Sequence, residues 1–175
     1  ILYAGTLEPR KNVAILLDAW EALRANDPDL LPLVLVGPYG WGSERLARRI
    51  EALAPLGVRS LGRVERTRLV RLFKGARVFA YPSLYEGFGL PPAEAMACGV
   101  PVVVSNTSSL PEVVGNAGLK VPPGDAGALA AAIHALLDDP GRAAELAARG
   151  LSRTDRFRWD RAAREMEEVF FEALG

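Results

Sequence analysis

Apolar residues along the chain fall into two alternating patterns. Short runs, apolar on both faces, occur at Ile1–Ala4, Pro32–Val36, Val58–Leu61, Val78–Tyr81, Pro101–Ser105 and Gly118–Val121. Such runs predict strands covered on both sides. Between them the spacing changes to the 3.6-residue period of a helix. Val13, Leu16, Leu17, Trp20 and Leu23 make one apolar face, with Asp18, Glu21 and Arg24 turned away from it. Leu46, Ile50 and Leu53 mark a second helix, and Leu69, Leu72 and Phe73 a third. A fourth runs from Pro92 to Ala97 and stops at Gly99. Leu129, Ile133, Leu136 and Leu137 face inward on a fifth, where Asp125 is placed to act as N-cap.

Strands separated by crossover-length helices predict an α/β domain, a Rossmann-like doubly wound parallel sheet of about six strands with helices on both faces. The tail breaks the alternation. Beyond Asp138 the pattern holds only an Ala/Arg/Glu helix ending near Gly150 and a last helix from Trp159 to Leu174. Trp159, Ala163, Met166 and Phe170 share a stripe on that last helix, and a stripe of this kind requires a cover. At 175 residues the length suits one core, spanning roughly residues 1–155, with a C-terminal helix at roughly 158–174. Because the chain opens with Ile1-Leu2-Tyr3-Ala4-Gly5, inside a strand and without Met, it reads as a fragment whose upstream part is missing.

Composition removes several classes of function. Lys and Arg total 21 against 21 Asp and Glu, so the formal net charge is zero, which argues against a nucleic-acid binder held by phosphate contacts. Cys98 is the single cysteine and His134 the single histidine, which leaves no internal disulfide, no Cys/His metal cluster and no Ser/His/Asp arrangement. No apolar run approaches the ~20 residues of a membrane span. Gly37-Pro38-Tyr39-Gly40-Trp41-Gly42 lacks the G-x-G-x-x-G spacing, and no P-loop pattern is present.

In sheets of this kind ligands bind beyond the carboxyl ends of the strands. Three loops there carry candidate chemistry. Gly5-Thr6-Leu7-Glu8-Pro9-Arg10-Lys11-Asn12 puts two cations where a helix begins, the end that already carries partial positive charge. Lys11 is one of only 3 lysines beside 18 arginines. Arg10 and Lys11 are electrostatically out of place unless an anion arrives, or else form a solvated basic pair at a loop tip. Tyr81-Pro82-Ser83-Leu84-Tyr85-Glu86-Gly87-Phe88-Gly89-Leu90-Pro91-Pro92-Ala93-Glu94 is the more specific loop. Gly87 and Gly89 let backbone approach a ligand, and the amides of Phe88, Gly89 and Leu90 are free to point at phosphate oxygens. Glu86 and Glu94 sit eight residues apart across the glycine bend, a spacing that lets both reach one cleft on opposite sides of a bound ligand. A carboxylate accepts two hydrogen bonds, which suits a vicinal diol of a sugar; Glu94 could equally be an acid stabilised by the helix dipole. The third loop, Gly62-Arg63-Val64-Glu65, offers backbone groups to a planar base or simply leads into the next helix. Ser105-Asn106-Thr107-Ser108-Ser109-Leu110-Pro111-Glu112 is a further polar turn at a strand exit, lining the same cleft or opening a short helix.

These residues together resemble the C-terminal, donor-binding domain of GT-B-fold glycosyltransferases, in particular the large retaining group known as glycosyltransferase family 4. The resemblance runs over essentially the whole chain. It rests on Gly5 to Asn12, on Val36-Gly37, on the Glu-x7-Glu element from Glu86 to Glu94, on Glu94-Ala95-Met96-Ala97-Cys98-Gly99-Val100-Pro101, on Leu110-Pro111-Glu112-Val113-Val114 and on Val121-Pro122-Pro123-Gly124-Asp125. It implies that Lys11 and Arg10 contact the donor diphosphate, that Glu86 lies against the sugar ring, and that Glu94 binds the ribose hydroxyls. Gly87, Phe88, Gly89 and Leu90 would hold sugar and phosphate through their amides. Arg63 and Val64 would meet the base, and Gly5, Thr6 and Gly37 would line the donor site. Many relatives carry an Arg directly after the first glycine, where this chain has Thr6, so Arg10 stands in its place.

The implied reaction is transfer of a sugar from a nucleotide-diphosphate sugar to an acceptor hydroxyl, with retention and without a cofactor or metal. The implied partner is an N-terminal acceptor domain, and the implied setting is cytoplasmic, peripheral to the inner membrane face through that domain. Three other classes compete. A sugar-nucleotide epimerase half-domain would call on acidic and histidine groups, which a single mid-helix His serves poorly. A nucleotide-sugar-binding module without catalysis would look the same over this stretch. A flavodoxin-like signalling domain would need an acidic cluster where Arg10 and Lys11 stand.

Overall fold

The computed structural model describes residues 1–174. Six parallel strands form one sheet in the order β3-β2-β1-β4-β5-β6. They are β1 (Leu2–Ala4), β2 (Leu33–Val36), β3 (Val58–Ser60), β4 (Phe79–Tyr81), β5 (Val102–Ser105) and β6 (Gly118–Val121). Every predicted strand is present, each within a residue of the expected ends. The helices are α1 (Val13–Asn26), α2 (Glu44–Leu53), α3 (Arg66–Gly75), α4 (Leu90–Ala97), α5 (Leu110–Val114), α6 (Ala126–Asp138), α7 (Pro140–Thr154) and α8 (Trp159–Leu174).

The central strands are sealed on both faces. All of β1, β4 and β5 is buried, and Tyr3, Trp20, Phe73, Phe79 and Tyr81 are the largest side chains of the core. Continuous burial of this sort requires helices on either side, and α1 packs with α6 while α4 packs with α7. The expected cap of α6 forms: the Asp125 carboxylate accepts from the Ala128 amide at 2.8 Å.

Two helix boundaries differ from the sequence reading. α4 begins at Leu90, not Pro92, because prolines fit the first helical turn, where backbone amides have no helical partner anyway. Glu94 is therefore past the first turn, which holds no acid, and the helix-dipole explanation of it loses its basis. The second difference is Gly150, which does not end its helix. It lies buried within α7, and a Cβ there would come within 3.1 Å of Met96 on α4, so the glycine serves close helix packing. His134 is exposed on α6, and Cys98 is half-buried at the end of α4.

The strand order fixes where a site can form. β1 and β4 are neighbours, yet the chain leaves β1 toward β2 and leaves β4 toward β5. Their following loops diverge at this switch point and open a crevice at the carboxyl edge of the sheet. Residues 5–12 and 82–89, the two loops richest in candidate chemistry, flank that crevice.

Candidate functional site

The β1 loop is held by its neighbour. The Gly5 amide donates to the Val36 carbonyl, Leu7 to Pro38 and Gly40 back to Leu7, each within 2.9 Å. Gly37 lies so close that a Cβ on it would sit 2.0 Å from the Gly5 oxygen. The loop backbones touch, and this contact gives Gly5, Thr6 and Gly37 a fixed place at the crevice floor. A short 3₁₀ turn, Pro9–Lys11, then swings Lys11 inward beneath β4.

Lys11 is buried, and its ammonium makes two hydrogen bonds, to Glu86 Oε1 at 2.6 Å and to the Tyr81 hydroxyl at 2.8 Å. Tyr81 in turn donates to the same Glu86 oxygen at 2.9 Å, and the Lys11 Nζ lies 5.4 Å from its ring centre. Arg10 stands at the rim with 42% of its side chain exposed. It donates to the Tyr85 carbonyl at 2.7 Å and to Glu8 at 2.8 Å, and its guanidinium lies 3.6 Å from Glu86 Oε2. The sequence reading left these two cations either waiting for an external anion or solvated at a loop tip. The fold supplies two internal ones, Glu8 and Glu86, so the four side chains are charge-balanced before any ligand arrives. The physical reason is the switch point itself, which brings residues 75 positions apart into contact.

Titration follows from this packing. Burial pushes the Glu86 carboxyl upward, but hydrogen bonds from Lys11 and Tyr81 outweigh it and hold the group below the ordinary carboxylate range. Tyr81 is driven the other way, chiefly by burial and then by Tyr3 and Glu86, as is Tyr3 by burial and Glu86. Both phenols therefore stay protonated as donors. The ammonium of Lys11 has three N–H groups and spends two. Arg10 also keeps donors to offer an incoming anion.

The turn after Glu86 adds a second set of donors. Among the described residues, none of the Gly87, Phe88 and Gly89 amides has a protein acceptor. Leu90, as the first residue of α4, has none within its helix. Gly89 takes the left-handed conformation, φ 100°, that starts the helix, and Pro91 and Pro92 contribute no N–H to compete. Four consecutive unspent amides beside two cations form a site suited to phosphate oxygens.

Glu94 lies in α4, past the amide turn. It is exposed on α4 and lines a groove of about 460 Å³ with Phe88, Leu90, Phe157 and Trp159. No hydrogen bond or ion pair among the described residues links it to Arg10, Lys11 or Glu86. Phe88 joins the two regions, its backbone in the amide turn and its ring edge-on to Phe157 at 5.3 Å. Arg63 is exposed and Val64 partly so, in the loop after β3. Among the described residues no group of three His, Cys, Asp or Glu is arranged to hold a metal ion, and no helix is long and apolar enough to cross a membrane.

Sequence reasoning gave Tyr81 no role of its own, and it placed Ser108 and Ser109 only within a polar turn that either lines the cleft or opens a short helix. Tyr81 ends β4 and its hydroxyl shares the Glu86 oxygen with Lys11. The Ser108 hydroxyl accepts from the Glu86 amide at 3.0 Å, while that of Ser109 reaches the carbonyls of Glu86 and Phe88 at 3.1 and 2.7 Å. A strand-ending Tyr is a visible signal. For the serines the polar turn pointed to the cleft but not to their partners, which lie over 20 residues away on another loop.

A parallel α/β sheet that gathers two cations, a buried carboxylate and unspent amides at its switch point offers groups suited to phosphate oxygens and hydroxyls. The chain belongs to the glycosyl transferases group 1 family, whose model matches residues 1–153. It is 47% identical over 160 residues to O-antigen chain mannosyltransferase B of Escherichia coli, covering 91% of this chain and 42% of that protein. Among solved structures it is similar to sucrose-phosphate synthase from Thermosynechococcus elongatus, with a TM-score of 0.84 and 34% identity over 99% of this chain and 45% of that one. It is also similar to Anabaena HepE in complex with UDP and glucose, with a TM-score of 0.81 and 25% identity over 98% of this chain and 48% of that one. The chain thus spans less than half the length of each, and the resemblance to GT-B glycosyltransferases read from the sequence is borne out.

Proposed function

We propose that this chain is the donor-binding domain of a retaining, family 4 glycosyltransferase, which moves a sugar from a nucleotide-diphosphate sugar to an acceptor hydroxyl. The observation that carries the reading is the Lys11–Glu86–Tyr81 cluster at the switch point, followed directly along the chain by four unspent amides. The diphosphate takes the amides of Gly87 to Leu90, the third N–H of Lys11 and the outer face of Arg10. These groups stabilise the negative charge that grows on the leaving group as the glycosidic bond breaks, and preorganised donors of this kind supply most when they need not move. Metal is not required for that role. Glu86, kept ionised by its partners, lies against the sugar ring, accepts from its hydroxyls and faces the positive charge of an oxocarbenium-like state. Glu94 binds the ribose hydroxyls from the far side of Phe88, and Arg63 and Val64 meet the base.

The acceptor site belongs to a further domain, N-terminal in the complete enzyme, and α8 returns toward it. Support comes from the stripe on α8: Trp159, Met166 and Phe170 are 89%, 56% and 60% exposed, and nothing in this helix is buried. The setting is cytoplasmic, with membrane association, if present, a property of that other domain. Similarity to a named mannosyltransferase favours mannose as the sugar.

A thermal-shift panel of UDP-, GDP-, ADP- and dTDP-sugars on the full-length enzyme tests this. One nucleotide series should raise Tm, since a ligand held only by the folded state at 100 times its Kd adds about 2.7 kcal/mol. A panel in which no nucleotide sugar stabilises the enzyme would remove the reading. The chain alone should transfer no sugar, and measurable transfer by it would contradict the two-domain assignment.

A further inference from the structure

Ser109 stands at the N-cap of α5, where a serine ordinarily accepts a hydrogen bond from an amide of its own helix. Here the side chain caps nothing. Its hydroxyl is directed to another loop and shared between the carbonyls of Phe88 and Glu86, at 2.7 and 3.1 Å. The preceding residue, Ser108, adopts φ 52°, the left-handed region that residues with a Cβ rarely occupy, and its hydroxyl takes the Glu86 amide at 3.0 Å. Two adjacent serines thus occupy three backbone groups of the Glu86–Phe88 turn.

The consequence follows from peptide geometry. In a trans peptide unit the carbonyl and the next amide point in opposite directions. Holding the Glu86 carbonyl toward α5 aims the Gly87 amide away from it, and holding the Phe88 carbonyl does the same for Gly89. These are two of the four unspent amides. Glycine on either side leaves these peptide planes with low intrinsic preference, so an external constraint has to set them.

We propose that Ser109 is a positioning residue that aims the Gly87 and Gly89 amides at the anion, with Ser108 fixing the carboxylate-bearing residue from the other side. This rests on the diphosphate reading of the site and adds the device that orients its donors. It assigns no contact between Ser109 and the ligand.

The test is the binding of inorganic pyrophosphate, UDP, GDP and their free nucleosides to the full-length enzyme, comparing wild type, Ser109→Ala, Ser109→Thr and Lys11→Ala. Ser109→Ala should weaken both pyrophosphate and the bound nucleoside diphosphate on the order of tenfold, leaving nucleoside affinity within about twofold, the scale expected when fixed anion donors are released. Ser109→Thr, which keeps the hydroxyl, should restore binding. If Ser109→Ala lowers nucleoside and diphosphate affinity equally, or Thr fails to restore what Ala loses, the positioning role is wrong. If Lys11→Ala discriminates against the diphosphate and Ser109→Ala does not, this inference fails while the diphosphate reading stands. If Lys11→Ala also shows no discrimination, the underlying reading fails with it.

Discussion

Glu86 is the residue on which the local energetics turn. Its ionised form is favoured by Lys11 and Tyr81 against the cost of burial, so its folded-state pKa lies below the unfolded one. A carboxylate shifted this way contributes stability that is complete above the ordinary carboxylate range and disappears as pH falls through the depressed value. Glu86→Gln should therefore lower Tm at neutral pH, and the gap to wild type should close on acidification; a gap that stays constant with pH would contradict the assignment. Lys11→Ala leaves the carboxylate without its nearest counter-charge. A loss of about 3 kcal/mol, the low end for a broken buried pair, is expected in urea unfolding because Tyr81 and Arg10 remain. The residue types of this cluster were legible in the sequence, but their mutual pairing was not. Adjacent cations at a helix start look unsatisfied until the fold brings in an acid from 75 positions away.

At the scale of elements, the two-sided apolar runs and the 3.6-residue faces were enough to place all six strands and the main helices, because buried parallel strands and amphipathic helices follow different periods. Boundaries that depend on tertiary approach were not readable. Gly150 looks like a helix stop in one dimension and proves to be a contact with Met96 in three. The tie between the β1 and β2 loops was equally hidden. A Gly37→Ala change drives a Cβ into the Gly5 carbonyl and should destabilise the domain by about 2–3 kcal/mol, as overpacking does, with loss of diphosphate binding because the Lys11 loop shifts. Wild-type stability in that variant would show that the two loops are not coupled.

The whole molecule joins a sealed sheet to a helix that has no cover. Replacing Met166 and Phe170 by serine should leave the unfolding free energy of this chain within about 0.5 kcal/mol of wild type, as for surface positions, yet lower the Tm or activity of the complete enzyme. A large loss in the chain alone would mean that the stripe already packs within it. The central claim concerns the crevice at the sheet's carboxyl edge: that Lys11, Arg10 and the amide turn together hold a diphosphate. Isothermal titration of GDP and UDP against their nucleosides, on folded wild type and Lys11→Ala, addresses it most directly. The account predicts that the substitution weakens the diphosphate about tenfold or more while nucleoside affinity barely moves, the scale of losing one charged donor. Equal loss for both ligands, or no loss for either, would contradict it.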